Sequence, residues 1–178
     1  MLGKIKEKIL DKGRQIDAFL FLVRFTLLAI PFYIVGWLGI SIGWLQDIVA
    51  KLTVLFLNAA DIPAALSGTL ITLPGFAGYI AWDCTGWKSM VAFIALVVAT
   101  DTTWRKRLYG LLFLPAIFAI NLLRVFVTFY VAYTDFSMYS FVHSILWSWG
   151  LIAAILIIWV LWLRFVVKPR VSLIYTQE

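Results

Sequence analysis

The stretch RKRLYGLLFLPAIFAINLLRVFVTFYVAY, residues 105–133, runs from a triple basic turn into a long apolar segment and keeps one charge, Arg124, inside it. From residue 107 to 133 it is long enough to cross a hydrocarbon core of roughly 30 Å at about 1.5 Å per residue. The turn Arg105-Lys106-Arg107 marks the cytoplasmic end, because Lys and Arg beside a span stay on that side. Arg124 then lies in the outer half of that span, below its outer end. From that depth a guanidinium snorkels toward the outer interface.

The rest of the chain has the same character. Hydrophobic residues make up 63% of it and charged residues only 13%, with a mean hydropathy of +0.98. These values exclude a soluble domain. Nine Trp, seven Tyr and fourteen Phe suit a small membrane bundle with aromatic belts at both interfaces. The net charge of +6 does not point to nucleic acid, since the basic residues cluster beside apolar spans rather than along one stripe.

Further spans are expected near 19–40, 87–101 and 141–165, giving one domain over 1–178, an all-α integral membrane bundle of about four crossings. Residues 1–18, with Lys4, Lys6, Lys8, Lys12 and Arg14, read as a cytoplasmic amphipathic segment leading into a retained signal anchor. Residues 165–178 read as a cytoplasmic tail. Residues 41–60 carry Gln46, Asp47, Lys51 and Asn58 as a thin polar stripe. A crossing there would put Arg105-Lys106-Arg107 outside, so this segment is expected as an interfacial or re-entrant helix. Both termini then lie in the cytoplasm, and Asp47, Asp61, Asp83 and Asp135 face outward.

Between 61 and 83 the pattern turns extended. Residues 67–73 and 76–82 flank Pro74-Gly75, a pair suited to a type II turn, so an outer β-hairpin is expected. Lipid does not tolerate open strand edges, so the hairpin must face water, the interface or protein. Its second strand leads into Cys84, the only cysteine. That placement sets the thiol at the N-terminal end of the next helix, where the helix field favours thiolate.

Cys84, Arg124 and His143, the only histidine, reach the same outer depth. Each has a bland alternative: packing for the cysteine, a structural ion pair or anchor for the arginine, an interfacial backbone contact for the histidine. As a set they divide the labour of acyl transfer. Cys84 serves as nucleophile, His143 as general base and acid, and Arg124 as stabiliser of the oxyanion or of a substrate carboxylate or carbonyl. Asn121, Arg124 and Thr128 form one polar stripe at i, i+3 and i+7. Asp83 either orients His143 or caps the helix. Pro31 and Pro115 are expected to kink their helices. No cofactor is called for, and one His with one distant Cys makes no metal site.

Asp83-Cys84-Thr85-Gly86 after an outer loop, Asn121-Leu122-Leu123-Arg124-Val125 within a span, and His143 with Gly150 at the last span resemble the exosortase and archaeosortase family of membrane-embedded cysteine transpeptidases. The resemblance extends over roughly residues 60–160. It implies cleavage of a C-terminal sorting signal on secreted proteins, made of a short motif, a hydrophobic helix and a basic tail. Cys84 would hold the chain as a thioester until an amine, such as one on a membrane lipid headgroup, releases it. Two other classes stay open: a small-molecule transport subunit with Arg124 as the anion-binding residue, and a non-enzymatic scaffold whose arginine pairs with a partner helix.

Overall fold

The structure, a computed structural model, describes residues 2–145 and 149–167, with side chains from Gln15 onward except at residue 145. The basic side chains near the N-terminus, Trp147 and residues 168–178 lie outside that description.

Helix α1 runs without a break from Leu2 to Trp37, so the expected amphipathic segment and first span form one rod. Its partly covered positions, Phe21, Phe25, Ala29, Phe32 and Val35, recur every three or four residues. That spacing is a single helical face, and it packs on α3 (Trp87–Ala99). The other faces expose Phe19, Leu22, Leu27 and Ile34, an apolar surface of the kind that lipid or another protein covers.

The expected span at 107–133 consists of α4 (Trp104–Leu111) and α5 (Leu114–Thr134). Pro115 sits in the first turn of α5, where a missing N–H leaves no internal bond unmade. It starts that helix rather than kinking it, whereas Pro31 does lie inside α1. Residues Gln15–Trp37 and Trp104–Thr134 are long and apolar enough to cross a membrane; Trp87–Ala99 and Leu151–Val167 are shorter apolar helices. Residues 141–165, expected as one last span, fall in α6 (Phe136–Ile145) and, beyond residues 146–148, which lie outside the description, in α7 (Leu151–Trp162), continued by a π turn over Leu163–Val167.

Residues 41–60 form α2 (Gly43–Ala59), which buries Val49, Ala50, Thr53 and Leu57. Two of its polar residues hold the loop that follows. Asn58 exchanges bonds with Ala64, donating to its carbonyl and accepting from its N–H at 3.3 and 2.9 Å, and the Gln46 amide donates to the Ile80 carbonyl at 2.9 Å.

The loop contains a three-stranded antiparallel sheet rather than the expected two-stranded hairpin: β1 (Ala65–Ser67), β2 (Leu70–Leu73) and β3 (Phe76–Tyr79) in that order. Gly68, at φ +60°, ends β1 in a tight turn that the sequence reading had placed within a strand. Pro74-Gly75 makes the expected turn, with Gly75 at φ +81° and Leu73 opposite Phe76. The inward side of β2, Ile71 and Leu73, joins Val49, Leu57, Ile80, Val125 and Phe129 in one core. A second core of Phe93, Val97, Ile117, Ile155 and Trp162 holds the opposite end of the bundle. The first core carries the sheet against α5, and the candidate site forms along that seam.

Candidate active site

Strand β3 ends at Tyr79, and the chain then makes one 3₁₀ turn, Trp82–Thr85, before Gly86 opens α3. Cys84 therefore sits one turn ahead of the helix, not at its first position. The buried Thr85 hydroxyl closes this turn by donating to the Trp82 carbonyl at 2.8 Å and accepting from the Trp87 N–H at 3.4 Å. Stacking of Trp82 on Trp87 covers it, with ring centroids 5.3 Å apart.

Asn121 fixes the turn from the α5 side. It is fully buried and donates from Nδ2 to the Cys84 carbonyl at 2.8 Å. Gly86 is required at the same point on two counts. Its φ of +77° disfavours any residue with a Cβ, and a Cβ there would lie 2.6 Å from Asn121 Cγ.

One turn further along α5, Arg124 is 8% exposed, so the polar stripe foreseen in sequence faces protein rather than lipid. Thr128 donates back to the Arg124 carbonyl at 2.9 Å, as hydroxyls on apolar helices do. The Arg124 guanidinium lies within hydrogen-bonding reach of the Cys84 thiol. His143, on α6, stacks on Tyr139 with ring centroids 5.6 Å apart and lies within electrostatic range of Arg124.

Cys84, Arg124 and His143 line one cavity of about 90 Å³, together with Phe76, Gly78, Tyr79, Val125, Thr128, Phe129 and Tyr139. Burial pushes the Cys84 thiol above its ordinary pKa; the charge on Arg124 and the backbone bond to Ala81 pull it down, and Asp83 adds to the upward push. The expected activation by a helix N-terminus is thus corrected. Burial thus works against the thiolate, and attack by the sulfur calls for a base to take its proton. No side-chain bond from Asp83 caps α3; its carboxylate pairs with Lys88 at 2.9 Å.

The aromatic wall is what sequence reasoning missed. Tyr139 stands four residues before His143 on the same helix, a spacing at which side chains meet. That signal was present in the sequence. Phe76, Gly78 and Phe129 come together only through the sheet, because Gly78 lacks the Cβ that would press to 3.2 Å from the Phe129 ring.

A family model for transmembrane exosortases matches residues 12–163, a stretch that includes Cys84, Arg124 and His143. This chain belongs to the transmembrane exosortase family. Exosortases are a membrane-embedded family of transpeptidase type. Neither the curated proteins nor the solved structures gave a match. The exosortase match covers both halves of the site: the turn that presents the thiol, and the helices that bring arginine and imidazole to it.

Proposed function

We propose that this exosortase is a cysteine transpeptidase that cleaves C-terminal sorting signals of secreted proteins at the outer face of the cytoplasmic membrane. The observation that carries the reading is the single cavity lined by Cys84, Arg124 and His143.

His143 accepts the Cys84 proton as the sulfur attacks the carbonyl carbon of the scissile bond. Arg124 stabilises the oxyanion of the tetrahedral intermediate. The C–N bond then breaks, the proton moves from His143 to the leaving amine, and a thioester remains on Cys84. An incoming amine, such as one on a lipid headgroup, attacks that thioester. The amine gives a proton to His143, the S–C bond breaks, that proton passes to the Cys84 sulfur, and the acyl chain leaves with its new amide.

The topology that accommodates this chemistry has four crossings, the short helices α3 and α7 included, with both termini in the cytoplasm. The test is processing of a co-expressed secreted protein that carries a C-terminal hydrophobic helix and a basic tail. Cys84→Ala, Cys84→Ser and His143→Ala should leave it uncleaved while the variants still accumulate in the membrane. Normal cleavage by either Cys84 variant overturns the reading.

A further inference from the structure

The cavity at Cys84 is too small for a peptide. At about 90 Å³ it has room for a few waters, whose share of liquid volume is about 30 Å³ each. A polypeptide substrate must therefore lie across its mouth and lower one carbonyl into it. Strand β3 borders that mouth through Phe76, Gly78 and Tyr79.

The sheet order makes β3 an edge. Its register to β2 pairs Phe76 with Leu73 and Gly78 with Ile71, and the ladder extends to the Ile80 N–H, which donates to the Thr69 carbonyl at 2.8 Å. In an antiparallel pair, bonded and non-bonded positions alternate. Residues 76, 78 and 80 thus turn their backbone groups toward β2, and Ala77 and Tyr79 turn theirs outward. Both outward residues are exposed, Tyr79 by 69%. Among the described residues their outward N–H and C=O groups have no hydrogen-bond partner.

Edges of this kind are usually blunted by charge, proline or a covering segment. Residues 76–79 carry neither charge nor proline, no described residue bonds to their outward backbone groups, and the strand leads within five residues to the nucleophile. We propose that β3 is the substrate-docking edge: an extended peptide adds as a fourth strand through the backbone groups of Ala77 and Tyr79, which delivers its scissile carbonyl over Cys84. The inference rests on the transpeptidase reading for the identity of the peptide. The edge supplies recognition of extended main chain at alternate residues. The aromatic wall of Phe76, Phe129 and Tyr139 receives the side chain that points into the cavity, and its size selects a small one.

The test uses full-length protein in detergent and a pool of pentapeptides capped with a chloromethyl ketone, with the rate of Cys84 alkylation read by mass spectrometry. The fastest peptide is then N-methylated at each residue in turn. Loss of labelling by about tenfold at alternate residues only is the expected result, the size being that of one interaction worth about 1.4 kcal/mol. Ala77→Pro removes the outward donor while leaving the ladder to β2 intact. It should slow peptide labelling by a similar factor, with iodoacetamide labelling unchanged, and Ala77→Val should behave like the wild type.

Three results overturn the proposal: a pool that labels no faster than a chloromethyl ketone without peptide, N-methylation tolerated at every residue, or Ala77→Pro labelling at the wild-type rate. A disulfide-linked dimer of an Ala77→Cys variant in a Cys84→Ala background would assign the edge to a second copy and overturn it too. Failure of the transpeptidase reading looks different: the alternating pattern persists, but no thioester forms on Cys84 with a cleavable substrate.

Discussion

Replacing Gly86 with Ala perturbs the point where Asn121 of α5 holds the turn that carries the nucleophile. At φ +77° the new Cβ brings a left-handed penalty of about 1–2 kcal/mol. The same Cβ would stand 2.6 Å from Asn121 Cγ and 2.9 Å from its Cβ and Nδ2. These atoms cannot swing away freely, because Asn121 is fully buried and bonded to the Cys84 carbonyl at 2.8 Å. If Asn121 yields, that carbonyl loses its donor, at about 1–3 kcal/mol for a buried group left unpaired. The variant should therefore lose about 2–5 kcal/mol in all. Asn121→Ala removes both the clash and the hydrogen bond, so the double variant should lose less than the two single losses added, by about 1–3 kcal/mol. Thermal and denaturant unfolding in mild detergent measures all three. A Gly86→Ala variant within 0.5 kcal/mol of wild type, a typical ceiling of about that size for neutral sites, or strictly additive losses, would refute the packing described for this turn.

Other consequences concern charge and core. Because burial holds the Cys84 thiol above its ordinary pKa, alkylation by iodoacetamide should keep rising at pH values where an exposed cysteine has levelled off; a plateau at or below the ordinary cysteine range would contradict this. Asp83 contributes to the upward push, so Asp83→Asn should speed alkylation at pH 8, and Arg124→Gln should slow it. Lys88→Ala breaks only a half-exposed ion pair with Asp83 and should cost less than about 1 kcal/mol in thermal unfolding. Phe93→Ala, by contrast, empties a fully buried position in the second core and should cost about 3–5 kcal/mol, with the Cys84 turn and its thiol reactivity unaffected.

What the sequence could disclose follows from the range of each signal. Arg124 and the stripe through Asn121 and Thr128 were legible because a charge in an apolar helix has few tolerable places, and a helix repeats them on one face. The Pro74-Gly75 turn was legible because its dihedral demands are local. Strand β1 was not, since three residues carry too little pattern and Gly68 reads equally well as strand or turn. The state of the Cys84 thiol escaped for a different reason. Its field depends on burial by α5 and the sheet, and the short 3₁₀ turn, which no sequence spacing required, takes it away from the helix terminus. Capping by Asp83 does not occur, and Lys88, five residues on, takes up its carboxylate from the next helix. Residue types thus pointed to the chemistry, while the environment that tunes it emerged only from tertiary packing.

The most direct test of the account is mass spectrometry of Cys84 after incubation with a peptide that spans a secreted protein's C-terminal motif and hydrophobic helix. The account predicts an acyl adduct on the peptide containing Cys84, cleaved by hydroxylamine, absent in Cys84→Ser and strongly reduced in His143→Ala. An unmodified Cys84 in the presence of cleaved product, or an adduct on another residue, would contradict it.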